Sequence, residues 1–224
     1  RPDGELTTLY RPQQGRLVSE MDLHFDAGKL MFSMPDDKKF WQIFELDLAT
    51  GKLRQVSPAN QPDVHNFDSC YLPNEKIAFI STAPFQGVPC NAGVNVGMSY
   101  VMDANGANVR QLCFEQDHNF CPTVMNDGRI LYLRWEYTDI PHVWARFLFT
   151  MNPDGSDVRQ ITDFGSMSWA PYIHPSGQYI LFASNKLGFE NCELFIVDTE
   201  GTKEPVRVTY SDGFDGLPVP SPDG

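Results

Sequence analysis

Nothing in this 224-residue chain approaches the ~18 consecutive apolar residues that a membrane-crossing helix needs. Basic residues are scarce: 17 Lys and Arg face 29 Asp and Glu, for a net charge of −12. Such a surface repels phosphate backbones and anionic lipid, so nucleic acid is not an expected partner. The five cysteines (Cys70, Cys90, Cys113, Cys121 and Cys192) form no CxxC, no CxxCH and no short zinc-ligand spacing. Covalent haem attachment within the chain is therefore excluded, and the odd count leaves at least one thiol unpaired or paired elsewhere. Also missing are a G-x-S-x-G elbow, a P-loop, an HExxH and a G-x-G-x-x-G, so no motif announces nucleophilic or nucleotide-dependent chemistry.

What the chain does have is a core and punctuation. Hydrophobic residues make up 42% and aromatics 12%, which excludes a disordered chain, and 17 Gly and 17 Pro fall at regular intervals. Four segments share one pattern of apolar strand, Asp or Asn, Gly turn and Arg-bearing strand. Their turn glycines, Gly51, Gly106, Gly155 and Gly201, lie 55, 49 and 46 residues apart. A second series interleaves with it: Asp26-Ala27-Gly28, Pro73-Asn74-Glu75, Asn126-Asp127-Gly128, Pro175-Ser176-Gly177, and the start of a fifth at Pro222-Asp223-Gly224. Each unit is thus two hairpins, whose turns need the positive φ that Gly supplies and Asn or Asp tolerates. Four short strands every ~40–50 residues is the period of a β-propeller blade.

The reading is all-β: a propeller of four-stranded blades, with complete units at about 15–57, 58–114, 115–163 and 164–210 and partial units at 1–14 and 211–224. Because both ends fall in mid-repeat, the chain reads as a fragment of a six- to eight-bladed ring whose open edges favour oligomers or further blades. The second strands (Lys29–Ser33, Ile77–Ser81, Arg129–Leu133, Tyr179–Ser184) are expected beside the axis. Turn aspartates Asp47, Asp103 and Asp198 are expected to accept turn amides, and Arg54, Arg110, Arg159 and Arg207 to reach them across the hairpin.

The run from Pro175 to Ser184, followed by Glu193 to Thr209, resembles the TolB-type, WD40-like repeat of periplasmic propellers. The third unit, with His118-Asn119-Phe120-Cys121-Pro122, Asp127 to Tyr132 and Arg134-Trp135-Glu136-Tyr137, resembles the middle propeller domain of the hydrazine synthase alpha-subunit family. These resemblances imply fold and ancestry, and a periplasmic or secreted location. The expected function is a non-catalytic scaffold for a protein, glycan or small-molecule ligand. The alternative is the propeller of a larger enzyme: a secreted peptidase or hydrolase, a metal-dependent lyase, or a multihaem protein of the hydrazine synthase type.

Ten positions before the first turn, where strand one starts near a channel mouth, His65-Asn66-Phe67 and His118-Asn119-Phe120 repeat in phase. Met167-Ser168-Trp169 and Phe214-Asp215-Gly216 follow. His65, Asn66, His118, Asn119 and Asp215 are therefore candidate ligand-binding residues, with His65 and His118 as ligands of a divalent metal at the mouth. The bland counterpart is that His-Asn pairs cap strand starts. Two insertions, 82–97 and 135–146, fall between strands two and three. The second carries Trp135, Tyr137, His142 and Trp144, and an aromatic rim of Trp135, Tyr137 and Trp144 suits protein or glycan contact as well as a local mini-core. Cys90 lies in the first insertion, where pairing with Cys113 is one option.

Overall fold

The computed structural model describes residues 4–89, 91–136 and 146–223. Cys90, Tyr137, His142 and Trp144 lie outside the described residues. Four antiparallel four-stranded sheets follow one another along the chain. The first blade contains β1 (Ser19–Leu23), β2 (Lys29–Pro35), β3 (Trp41–Asp47) and β4 (Leu53–Gln55). The second has β5 (Asn66–Leu72), β6 (Lys76–Ser81), β9 (Met98–Asp103) and β10 (Arg110–Gln111), interrupted by a small hairpin of β7 (Gly87–Val88) and β8 (Asn91–Asn95). The third is β11 (Asn119–Val124), β12 (Ile130–Trp135), β13 (Arg146–Met151) and β14 (Arg159–Gln160). The fourth is β15 (Ser168–Ile173), β16 (Tyr179–Ser184), β17 (Glu193–Asp198) and β18 (Val206–Arg207).

The first strands of neighbouring blades touch, β1 against β5 and β5 against β11. They, and not the second strands, therefore hold the inner edge; β2, β6, β12 and β16 sit one place out. The sheets form an open, partial propeller.

Apolar side chains fill the spaces between blades, so the central strands are apolar on both faces, as strands covered on both sides must be. One cluster runs from Met31 and Ile43 through Tyr71, Ile77 and Phe79 to Tyr132 and Phe149, joining the first three blades. A second joins the third and fourth through Leu131, Leu148, Ile180, Phe182 and Phe195. On the outer face of the first blade, Phe32, Met34 and Leu46 receive the N-terminal segment, whose Tyr10 ring stacks on Phe32 at 5.6 Å.

The second-hairpin turns make the sequence repeat intelligible. Asp47 Oδ1 accepts from the amides of Ala49 and Thr50, and Asp198 from those of Glu200, Thr202 and Lys203. Asp103 instead pairs with Lys76 at 2.6 Å. The arginines do not reach their own turns, contrary to the expectation above. Arg54 Nη2 donates to Ala104 O (2.9 Å), Arg110 Nη1 to Asp154 O (3.0 Å) and Arg159 Nη1 to Glu200 Oε2 (3.0 Å), each in the turn of the following blade. Gly106 shows why that turn carries glycine: its φ is +85°, and a Cβ there would lie 2.2 Å from Val56 O of the preceding blade.

Candidate functional site

The chain enters each first strand at the end of the blades that also carries the connections between strands two and three. At this loop end, His65 Nδ1 accepts the Trp41 amide at 3.1 Å, and His118 Nδ1 accepts the Gly97 amide at 2.8 Å. The two histidines thus perform the same act in consecutive blades, each tying a strand start to the preceding blade at the beginning of that blade's third strand. Phe40 packs on His65 with ring centroids 4.9 Å apart; Trp135 stacks on His118 at 5.7 Å with an interplanar angle of 7°. An acceptor nitrogen must be unprotonated. Burial pushes both imidazoles below their ordinary pKa, while Asp36 beside His65 and Asp117 beside His118 pull the other way and Arg146 adds to the fall at His118.

The Nδ1 atoms of His65 and His118, the residues expected as metal ligands, are taken by main-chain amides, and among the described residues no three His, Cys, Asp or Glu side chains gather to hold an ion. Asn66 and Asn119 are buried polar links: Asn66 Nδ2 donates to Gln42 Oε1 (3.2 Å) and Asn119 Nδ2 to Glu115 Oε2 (3.4 Å). Asp215 sits at the corresponding place beyond the fourth blade, its amide donating to Cys192 O at 2.7 Å. Trp135, expected on an exposed rim, is only 8% exposed and belongs to the core. Cys113 is a free, buried thiol 3.7 Å from Met151 Sδ.

Gly97 is where the second blade receives the third. Its amide and carbonyl serve His118 Nδ1 and the Asn119 amide, and a Cβ there would meet Ile80 Cγ2 at 2.6 Å. The insertion before it folds into the β7–β8 hairpin and leaves Phe85 54% exposed, with Val94 exposed as well. Phe114 and Phe189 are exposed on other connections at the same end.

A second grouping lies at the inner edge. Every first strand carries a β-bulge, and the bulged residues Glu20, Asp68, Cys121 and Ala170 all have φ near +50°. The bulge re-aims each side chain. Glu20 Oε2 accepts the Asp68 amide (2.8 Å), and Asp68 Oδ2 in turn accepts the Cys121 amide, so each carboxylate caps the next blade. Asp22 does the same for Tyr71 at 2.8 Å. Burial, and then the Glu20 charge, push the Asp68 carboxyl up to about 7. Desolvation, with the Asp68 and Glu20 charges, pushes the Cys121 thiol up to about 12, which favours its protonated form at neutral pH. The four residues share a place but no chemistry, so no repeated letter marks them in the sequence.

Compared with known proteins, the chain matches no protein-family model. It is 31% identical to the uncharacterized protein Atu1656 of Agrobacterium fabrum over 85 residues, 38% of this chain and 27% of that protein. Among solved structures, a candidate TolB from Agrobacterium tumefaciens superposes with a TM-score of 0.72 at 17% identity, over 96% of this chain and 69% of that one. The fold is that of a TolB-like propeller. TolB from Acinetobacter baumannii (TM-score 0.62, 17% identity, 87% of this chain and 43% of that) and hydrazine synthase of Kuenenia stuttgartiensis (0.67, 15%, 88% and 33%) share it. At these identities the likeness concerns architecture, and a TolB-like propeller serves binding proteins and enzymes alike.

Proposed function

We propose that this TolB-like propeller is a recognition module of an exported protein, holding a protein, glycan or small-molecule ligand at its loop end. The observation that supports this is the lengthened second-blade connection, which exposes Phe85 before the β7–β8 hairpin and Val94 within it, with Phe114 exposed on another connection at the same end. Rigid sheets below, with variable connections gathered at one end, are how binding loops are commonly displayed. The periplasmic or secreted location rests on the TolB-type resemblance. A photo-crosslinking residue placed at Phe85 or Phe114 is expected to capture a partner in the producing cells, while the same residue at Asn105, in a turn at the opposite end, is not. Equal labelling from both ends, or none from the loop end, contradicts the assignment.

A further inference from the structure

At the turn end, between the second and third blades, lies a groove of about 550 Å³ bordered by Lys76, Val101, Asn108, Arg110, Asn152, Pro153 and Asp154. That size lies within the usual range for small-molecule sites. Its distinguishing feature is Arg110. In the first blade the corresponding Arg54 sits opposite Glu45, pairs with it at 2.7 Å, and Tyr71 Oη donates to the same carboxylate at 3.0 Å. Arg159 pairs with Asp157 and Glu200, and Arg207 with Glu193. Arg110 sits opposite Val101, and Val124 takes the register position that Tyr71 holds against the first blade. Among the described residues no carboxylate lies within ion-pair distance of Arg110. Its hydrogen bond is to Asp154 O, while the Asp154 carboxylate turns to Ser156 Oγ at 2.6 Å and its amide at 2.9 Å. Lys76 is neutralised by Asp103.

The other groups indicate what accompanies the missing anion. Asn108 and Asn152 spend their Nδ2 donors within the chain, on Asp103 (2.6 Å) and Ser156 (3.0 Å). Among the described residues their Oδ1 atoms receive no donor, which leaves two acceptors for hydroxyl groups. Pro153, half-buried at the groove's edge, supplies an apolar surface suited to the C–H face of a sugar ring, with the core residue Val101 beneath the groove floor. We propose that this groove binds a sugar acid, with its carboxylate on Arg110 and its hydroxyls on the side-chain carbonyls of Asn108 and Asn152. A planar guanidinium whose bond within the chain is to a main-chain carbonyl, with no carboxylate in ion-pair contact, is the group suited to such a carboxylate.

The full chain is titrated calorimetrically with glucuronate and an oligouronate, with glucose as the neutral match and oligoglutamate as an acidic peptide. Saturable uronate binding is expected, weakening as salt rises. Arg110→Gln weakens it at least tenfold, and the matched Arg159→Gln leaves it unchanged. Val101→Glu installs opposite Arg110 the carboxylate that Glu45 offers Arg54, and abolishes binding without removing the arginine. Melting curves show that each variant is folded. Absence of saturable uronate binding, equal binding of glucose, or binding of oligoglutamate alone overturns the proposal. None of these results bears on the loop end, which is tested by crosslinking.

Discussion

His65 and His118 work only as neutral acceptors, and this sets a sign for the pH dependence of stability. Their folded pKa values lie below the ordinary ~6.5, so the unfolded chain takes up the protons first as pH falls. Their contribution is complete above about pH 6.5 and is lost below it. Asp68 runs the other way. Its folded value of about 7 lies well above the usual carboxyl range, so its contribution is present at low pH and is lost as pH rises toward 7. Urea midpoints between pH 5 and 8 separate the two. The His65→Gln/His118→Gln pair is expected to remove the loss on the acid side, and Asp68→Asn to make the midpoint rise more steeply with pH; profiles parallel to wild type contradict these assignments. Gly97→Ala, which drives a methyl group into Ile80, is expected to cost about 1–3 kcal/mol by overpacking. An unchanged melting midpoint would show that the contact relaxes freely.

The hairpin is the element that carries both the repeat and its energetics. Gly51 and Gly106 occupy equivalent turns at φ +69° and +85°, so alanine pays a similar conformational cost of about 1–2 kcal/mol at each. Only Gly106 faces a neighbour's carbonyl, whereas nothing stands within 4 Å of a Cβ at Gly51. Urea denaturation is expected to show Gly106→Ala costing at least about 1 kcal/mol more than Gly51→Ala; equal costs would mean that the turn does not seat against the preceding blade. The glycine, proline and apolar periodicity made the four sheets readable from the residues alone, because turns and strand cores obey local rules. The pairing of the arginines with the turn aspartates was misread because Arg54, Arg110 and Arg159 also reach Ala104, Asp154 and Glu200, 41 to 50 residues away, and the nearer carboxylates they meet, such as Glu45 and Asp157, are not the turn aspartates. Trp135 was left between an exposed rim and a local mini-core because nothing in an insertion that also holds Tyr137, His142 and Trp144 shows which of them the His118 imidazole stacks on. The groove at Arg110 was invisible for the opposite reason: its signal is that Val101 stands where a carboxylate stands one blade earlier, and that equivalence needs the strand register.

At the scale of the molecule, among the described residues the packing contacts between blades are chiefly those of consecutive blades, so stability adds along the series much as it does in other repeat proteins. The two terminal faces keep apolar surface in water: Leu9, Leu17 and Met21 beside the first blade, and Tyr172, Val206 and Val208 on the fourth. Sedimentation velocity is expected to show concentration-dependent self-association that Val206→Lys/Val208→Lys reduces; a monomer at all concentrations would mean that these faces do not attract one another. The contacts between blades also have a direction. Arg54, Arg110 and Arg159 all reach forward, and Glu20 and Asp68 both cap the amide of the blade that follows. A series joined this way has a grammar with a fixed reading sense. The first and second blades each carry both contacts, so a tandem copy of either would meet an arginine donor for its turn carbonyl and a carboxylate acceptor for its strand amide, and the joint between copies would repeat one the protein already has.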